Sequence, residues 1–312
     1  MFENFAGNGK IKDITLGMLR RGRLPHAIII EGESGQGKTT FAKEFCKAVL
    51  CGKNDEYCDN CKFCTLFDAG TNPDFIVVEP DKSNSIKVDT IREVRKSCYE
   101  RPDRCQRKVY LIIGADKMRI ESQNAFLKIL EEPPEYVVFV LLAESSTAFL
   151  ETILSRCVCL KLKSPSTREC IDIMKKKLPD ISEKRIESEL GFSDNNIGLA
   201  LVHIEDKDAS DIGIDADKVL TMVSLSKAYE CLKTLKKYEK DKGALDYLIS
   251  HISTTAQINL RKICVGEQSG FSLSKQQYIK IIESCDKAKG YLKNNVIMRL
   301  VITLFCAEIF NK

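Results

Sequence analysis

The chain carries a glycine-rich segment with the residue types of a phosphate-binding loop. Residues 32–40 read GESGQGKTT and match the pattern G-x-x-x-x-G-K-[ST] at every fixed position, after a short apolar run and before a helix-compatible stretch. Glycines in such a loop allow consecutive backbone N–H groups to face phosphate oxygens, and the next helix adds its positive N-terminus. The sequence therefore predicts a nucleotide site formed by Gly32, Ser34, Gly35, Gly37, Lys38, Thr39 and Thr40.

The chemistry of two of these residues indicates the ligand. Lys38 would contact the terminal phosphates and the hydroxyl of Thr39 would bind Mg²⁺, so ATP or ADP with Mg²⁺ is the expected ligand. The alternative for this segment is a glycine turn with only a structural role.

Hydrolysis needs more than binding, because carboxylates at the end of another strand must hold the metal and position the attacking water. The candidate strand, KVYLII at residues 108–113, is followed by no acid until Asp116. Asp116 lies about three residues beyond the expected place, a large error for a catalytic site. We interpret Asp116 as a helix cap or a surface charge, and the sequence therefore predicts binding without hydrolysis.

Four closely spaced cysteines form a second candidate site. They give C-x6-C-x2-C-x2-C, and both C-x2-C pairs are typical of turns that bind one metal ion. Four thiolates around Zn²⁺ would make a closed structural site with no open position for water. Free thiols and a redox pair are the alternatives. The predicted zinc ligands are Cys51, Cys58, Cys61 and Cys64.

Composition narrows the class of protein without indicating a function. The 312 residues are 44% hydrophobic and 29% charged, which is ordinary for a soluble globular protein and argues against disorder. No apolar run approaches the roughly 18–20 residues that span a bilayer. Residues 1–13 lack the order of a signal peptide. We therefore expect a cytoplasmic protein with no membrane partner, and the net charge of +4 is too small to indicate nucleic-acid binding by itself.

Five short apolar runs separated by helix-like stretches are typical of a parallel α/β sheet covered on both faces. The sequence after Lys163 becomes helical, all eight prolines lie at or before Pro179, and a polar stretch at 205–211 indicates a linker. We predict three domains: 1–163 with the cysteine segment 51–64, then 164–210, and finally 211–312. The predicted strands are 27–30, 75–78, 109–113, 137–142 and 158–162.

The last predicted domain carries an apolar stripe at helical spacing. A core-facing role explains most of such a stripe, and a surface for a partner helix is the alternative. The stripe consists of Ile297, Leu300, Val301, Leu304, Phe305 and Ile309.

The order of these motifs resembles the clamp-loader subunits of the bacterial DNA polymerase III holoenzyme. The P-loop and cysteine insert are followed by SQNAFLKILEEPP at 122–134 and ILSRC at 153–157, and the motif-bearing match covers about residues 1–163. Beyond it, the resemblance lies in the helical layout and the segment 293–304. It implies an AAA+ P-loop domain with a zinc-binding insert, a small helical lid domain and a C-terminal all-helical collar.

This resemblance includes two kinds of subunit, the gamma/tau type that hydrolyses ATP and the delta-prime type that generally does not. Ile113 and Gly114 stand where the gamma/tau pattern has two acids, and Ala143 stands where it has a polar residue. The lid position that carries an arginine in the ATPase subunits falls near Gly198. We therefore expect a delta-prime-like subunit with an intact P-loop.

The resemblance also implies a role for Arg156. In this family the Ser-Arg-Cys motif projects an arginine into the ATP site of the neighbouring subunit, and an arginine finger of this kind offsets charge on the transferred phosphoryl group. The implied partners are gamma/tau and delta subunits in a hetero-pentamer that loads the sliding clamp onto primed DNA. Without the resemblance, an arginine at this place is typical of an internal ion pair.

Two other functions stay open at this stage. One is a gamma/tau-type ATP-hydrolysing motor subunit with an unusual metal ligand such as Asp116 or Glu121. The other is a zinc-dependent DNA-binding module, although Lys53 and Lys62 are nearly cancelled by the acids around the cysteines.

Overall fold

The computed structural model describes residues 1–53, 56–205, 209–266, 268–294 and 296–311. The chain divides into two compact units, Met1–Lys177 and Leu178–Lys312. The division into three domains at 163/164 and 210/211 stays a prediction, and residues 206–208 of the predicted linker lie outside the described residues. Residues 54 and 55 of the cysteine segment and Asn295 also lie outside them.

The first unit is built on one parallel sheet flanked by helices. Its strands and α-helices are α1 (Gly9–Arg20), β1 (Ala27–Glu31), α2 (Lys38–Cys51), α3 (Lys62–Asp68), β2 (Phe75–Val78), α4 (Val88–Cys98), β3 (Lys108–Ile112), α5 (Ile120–Glu131), β4 (Val137–Ala143), α6 (Glu151–Leu154), β5 (Val158–Lys161) and α7 (Thr167–Lys177). Short 3-10 helices occur at Ala115–Lys117 and Ser146–Ala148. The five strands have the order β2-β3-β4-β1-β5.

All five predicted strands are confirmed, and so is their parallel pairing. The prediction that they are buried on both faces holds only for the inner strands β1, β3 and β4. The outer strands β2 and β5 each have a neighbour on one side only, and Val77 and Cys159 are exposed. The two buried faces of the sheet support separate apolar clusters, one against α2 and one against α4 and α5.

The second unit is helical. Its elements are α8 (Glu183–Phe192), α9 (Ile197–Glu205), α10 (Ala209–Ser224), α11 (Ala228–Lys236), α12 (Lys242–Val265), α13 (Lys275–Lys293) and α14 (Met298–Phe310). Helix α12 packs against α10 and α13, and α14 packs against α11 and α13. No helix in the described part of the chain combines the length and apolar character needed to cross a membrane.

The apolar stripe of α14 divides into a buried and an exposed half. Val301, Phe305 and Ile309 lie in the core of the second unit. The other three members are exposed, with Ile297 75%, Leu300 49% and Leu304 37% accessible. The core-facing role is confirmed for the buried half, and a surface for a partner helix stays a prediction for the exposed half.

Candidate functional site

The glycine-rich segment connects β1 to α2 at the carboxyl end of the sheet. Gly35 and Gly37 have φ angles of 81° and 83°, in the left-handed region that favours glycine. A Cβ atom at Gly37 would lie 3.1 Å from the Phe5 ring, and one at Gly32 would lie 2.8 Å from the Gln36 Oε1 atom. Gly35 and Gly37 are therefore favoured by the backbone conformation of the loop, whereas the contact at Gly32 is with the flexible end of the Gln36 side chain.

The loop borders a cavity of about 370 Å³. Five of the seven predicted nucleotide-binding residues line it, whereas Gly32 and Thr40 do not. The opposite wall comes from the ends of β3 and β4. The lining residues are Ser34, Gly35, Gly37, Lys38, Thr39, Ile113, Gly114, Asp116, Lys117, Leu142, Ala143 and Glu144.

The Lys38 ammonium group lies beside the first residues of the loop. Its Nζ atom donates to the carbonyl oxygens of Gly32 and Glu33, at 2.5 and 2.9 Å. Burial lowers the pKa of Lys38, and the nearby carboxylates of Glu144 and Asp116 oppose that shift. A lysine with an ammonium group beside backbone N–H donors can bind phosphate, as the sequence predicts.

The end of β3 carries no acid at the two positions that follow its last residue. The first is Ile113, whose side chain packs partly against the apolar cluster on the α2 face of the sheet. The second is Gly114, which has φ 63° and whose Cβ would lie 3.1 Å from the Pro80 Cγ atom. The backbone at 114 therefore strains any side chain placed there, acidic or not.

Asp116 is not a surface charge or a helix cap, contrary to the interpretation from the sequence. It lies inside the 3-10 helix Ala115–Lys117, lines the cavity, and has an Oδ1 atom that is buried without a hydrogen-bond partner among the described residues. The interpretation from the sequence placed Asp116 about three residues beyond the expected acid position at the end of the strand, and it did not take into account the turn that follows Gly114. Glu121, the other acid considered, lies on α5 and does not line this cavity.

Glu144 is a cavity residue that the sequence reasoning missed. The polar position after β4 was assigned to Ala143, but β4 extends through Ala143, and Glu144 is the first residue beyond it. The signal was present, because Glu144 is the first charged residue after the apolar run 137–143. The cavity therefore contains two acids, Asp116 and Glu144, across from Lys38 and Thr39.

The four predicted cysteine ligands lie together. Their sulfur atoms are all within 4.8 Å of one another, and Cys51 Sγ is 3.7 Å from Cys58 Sγ and 3.8 Å from Cys61 Sγ. Sulfur atoms at the Zn–S distance of about 2.3 Å in a tetrahedron would be about 3.8 Å apart. The cluster could hold a metal ion, and its dimensions fit zinc.

Local structure favours thiolate in part of this cluster. Cys51 ends α2, and Cys61 caps α3 by accepting a hydrogen bond from the Cys64 backbone N–H. The backbone N–H of Asn60 lowers the pKa of Cys58 to about 6. Burial raises the pKa of Cys64 to about 12, so a bound cation would have to supply the charge that stabilises its thiolate.

A buried lysine on the P-loop helix holds the cysteine segment. Lys47 on α2 donates to Asp59 at 2.5 Å and to Asp68 at 2.8 Å, and its Nζ atom lies 4.6 Å from the centre of the Tyr57 ring. Burial alone would lower the pKa of Lys47, but the two carboxylates raise it overall. The cysteine segment is therefore tied to the helix that begins at Lys38.

Arg156 lies in the turn between α6 and β5. Its side chain donates to the Thr152 carbonyl oxygen at 3.0 Å and is 3.6 Å from a Glu131 carboxylate oxygen, while 37% of it stays accessible. Val158 pairs with Ile28, so by the register Arg156 stands level with His26 at the amino end of β1. The ion pair is exposed enough to be weak, and the guanidinium is available at the surface.

Comparisons with known proteins agree with these motifs. The model of the family described as "DNA polymerase III, delta subunit" matches residues 7–166, just over half of the chain. DNA polymerase III subunit gamma of Buchnera aphidicola is 30% identical over 81% of this chain and 72% of its own length. DNA polymerase III subunit delta' of Pseudomonas aeruginosa is 32% identical over 55% of this chain and 54% of its own length.

The comparisons also define how far the similarity extends. A gamma-subunit-related DNA polymerase III protein of Thermotoga maritima has a crystal structure that aligns with 96% of this chain and 97% of its own, with 18% identity and a TM-score of 0.49. The chain spans between 26% and 72% of the length of the first three curated relatives, which carry the names gamma/tau and gamma. Both gamma/tau and delta' names occur among the relatives. On the family match and the extent of the gamma similarity, the chain belongs to the family of bacterial clamp-loader subunits of DNA polymerase III.

Proposed function

We propose that this chain is a delta-prime-like subunit of the clamp loader, which binds nucleotide without hydrolysing it and supplies an arginine finger to a neighbouring ATPase subunit. The observation that carries the proposal is an intact P-loop beside a strand end without the usual acids, at Ile113 and Gly114. Hydrolysis by P-loop proteins needs a metal-binding acid and a group that orients water.

Arg156 is the residue that would act on a neighbour. Its own P-loop is at the opposite end of the strands, and its guanidinium is partly exposed, with contacts to Thr152, Ser155 and Glu131. A planar guanidinium can contact two phosphate oxygens at once, which suits it to stabilise a transferred phosphoryl group.

The partners follow from the same proposal. The chain would assemble with gamma/tau and delta subunits in a hetero-pentamer that acts on the sliding clamp and primed DNA in the cytoplasm. The exposed half of the α14 stripe, Ile297, Leu300 and Leu304, supports a helical collar that packs against neighbouring subunits, since exposed apolar patches mark interaction surfaces.

Two bound groups belong to this function. Mg²⁺ with ATP or ADP would occupy the P-loop cavity, where Lys38 and Thr39 would bind phosphate and metal. Zn²⁺ would be held by Cys51, Cys58, Cys61 and Cys64 as a structural ion. The sulfur spacing supports this assignment.

A second candidate function is the gamma/tau-type motor, because Asp116 and Glu144 bring two carboxylates into the cavity. One experiment separates the two functions: ATP binding and phosphate release measured on the same purified chain. We expect binding without turnover, and Lys38→Ala should abolish the binding. Steady release of phosphate that Lys38→Ala removes would establish the motor function instead.

The role in the assembly has its own test. In a loader reconstituted with gamma/tau and delta subunits, Lys38→Ala in this chain should leave DNA-stimulated ATP turnover unchanged, because the chain would not turn over ATP itself. Loss of turnover with Lys38→Ala would contradict the passive role.

A further inference from the structure

The P-loop cavity has an acidic wall that the family motifs do not account for. Asp116 and Glu144 follow the neighbouring strands β3 and β4, whose register pairs Ile112 with Leu141. Asp116 is therefore four residues beyond one member of that pair, and Glu144 is three residues beyond the other. Both line the cavity at the carboxyl end of the sheet, where Thr39 also lies.

The two lysines of this cavity do not neutralise Asp116 by direct contact. Lys38 Nζ donates to the carbonyl oxygens of Gly32 and Glu33. Lys117 Nζ donates to Asn84 Oδ1 at 2.7 Å. The Oδ1 atom of Asp116 is buried and has no hydrogen-bond partner among the described residues. A buried carboxylate oxygen without a donor or a cation is costly, so a donor or a cation bound by the Asp116 carboxylate would stabilise it.

A cation fits this acidic wall better than a neutral donor, because it would offset the charges of both Asp116 and Glu144. A phosphate group entering the cavity without a cation would meet these two carboxylates as well as the Lys38 ammonium group, and like charges a few ångströms apart in a protein repel each other. A divalent cation reverses the sign of this interaction. Carboxylate, hydroxyl and phosphate oxygens together form the set of hard ligands that Mg²⁺ binds.

We propose that Asp116 binds the divalent cation that accompanies the nucleotide, together with the Thr39 hydroxyl, and that Glu144 adds negative charge that excludes nucleotide without the cation. The inference rests on the proposed nucleotide binding and makes that binding weaker in the absence of Mg²⁺. It gives the cavity a metal-binding acid at a place different from Ile113 and Gly114. It does not give the cavity a catalytic base, because holding the cation and orienting water are separate tasks.

The test is ATP binding by calorimetry in excess MgCl₂ and in excess EDTA, for the full chain and its Asp116→Asn variant. The full chain should bind ATP at least about tenfold more weakly in EDTA. Asp116→Asn should bind ATP more weakly than the full chain in MgCl₂ and more tightly than it in EDTA. A merely structural residue would shift affinity in the same direction under both conditions.

Two variants serve as a control and an independent check. Glu121→Gln removes an acid that lies outside the cavity, and it should leave both affinities unchanged. Glu144→Gln changes an exposed side chain with little risk to folding, and it should tighten ATP binding in EDTA several-fold. With Mn²⁺ in place of Mg²⁺, electron paramagnetic resonance should show weaker Mn²⁺ binding to the ATP-bound Asp116→Asn variant.

Each outcome decides a different question. If the full chain binds ATP equally well in MgCl₂ and in EDTA, the inference is wrong and the proposed function stays intact. The same holds if the Asp116→Asn and Glu144→Gln variants bind ATP like the full chain in both conditions. No ATP binding in either condition would overturn the nucleotide-binding function, and the inference with it.

Discussion

Arg156 and Lys38 lie at opposite ends of the strands of one parallel sheet, Arg156 at the amino end and Lys38 at the carboxyl end. The β1–β5 register pairs Ile28 with Val158, which sets Arg156 level with His26, whereas Lys38 begins the helix after the loop at the other end of β1. The six steps along the chain from His26 to Gly32 correspond to about 20 Å of strand at roughly 3.3 Å per residue. An arginine at that distance cannot act on phosphate bound at its own loop, so any catalytic role of Arg156 concerns a second subunit.

Arg156→Ala should lower DNA-stimulated ATP turnover of the reconstituted loader while this chain still folds and assembles. Arginine fingers contribute about 10³ to 10⁵ in rate in well-studied GTPases, so the affected site should lose at least about tenfold. Arg156→Lys should recover little, because an ammonium group cannot span two phosphate oxygens. Steady-state phosphate release and size-exclusion chromatography measure the two effects.

The matched control is Arg92→Ala. Arg92 is an exposed arginine of the same unit that pairs with Asp89 on its own helix, 2.8 Å away, and its loss should leave turnover unchanged. Equal turnover for Arg156→Ala and the unmodified chain would refute the finger assignment.

Gly114→Ala should destabilise the first unit by about 1–2 kcal/mol, the cost of a left-handed backbone for a residue with a Cβ atom. Its φ is 63° and the new Cβ would lie 3.1 Å from Pro80. Gly17→Ala, inside α1 with open space around it, should instead stabilise by about 0.5–1 kcal/mol. Urea unfolding followed by circular dichroism measures both. Equal effects of the two changes would show that the backbone at Gly114 is not constrained as described.

The metal cluster should hold one zinc ion per chain, measurable by mass spectrometry after exhaustive dialysis. Cys61→Ser should lose that ion, although serine still offers an acceptor to the N-terminus of α3. The loss in stability should be well below the roughly 10–16 kcal/mol of isolated zinc peptides, since the sheet core does not depend on the metal. Cys264→Ser, an exposed cysteine on α12, is the control and should keep the zinc. Full zinc content in Cys61→Ser would refute the four-cysteine site.

The strands and the phosphate loop were predictable because their signals are local. An uninterrupted apolar run and a fixed glycine spacing each describe one stretch of chain. The strands lie where they were expected, and the glycine segment lies between β1 and α2, while its binding of phosphate stays a prediction. The exposure of β2 and β5 was not predictable, because it depends on the order of the strands in the sheet.

The acids of the cavity show why linear spacing was insufficient. Asp116 was judged too far along the chain, but the left-handed Gly114 and the 3-10 helix after it fold the chain back toward the loop. Lys47 was not identified at all, because a lysine on a helix gives no local sign that Asp59 and Asp68 will enclose it. Asp116 was missed because a turn brings it to the cavity. The contacts of Lys47 were missed because Asp59 and Asp68 are separate from it in sequence.

A group of partly buried aromatic and titratable side chains predicts a pH dependence for the stability of the second unit. The ring of His251 stacks on Phe192 at 3.7 Å between centroids, and Tyr247 meets it edge-on. His203 packs on Tyr247, and Glu189 accepts a hydrogen bond from the Tyr247 hydroxyl. Burial, with a smaller effect of His203, lowers the pKa of His251 to about 4.

Stability of the second unit should therefore fall as the pH decreases from about 6.5 toward 4. The unfolded chain protonates His251 in this range while the folded unit keeps it neutral, so unfolding takes up a proton and is favoured by acid. The full shift corresponds to about 3 kcal/mol. Burial raises the pKa of Glu189, and this carboxyl group is present in both the unmodified chain and the His251→Phe variant. The difference between the free energies of unfolding of these two proteins, measured from pH 8 to pH 4.5, therefore reports the contribution of the His251 imidazole. At pH 8 that difference reports packing alone, and a difference that stays constant down to pH 4.5 would refute the assignment.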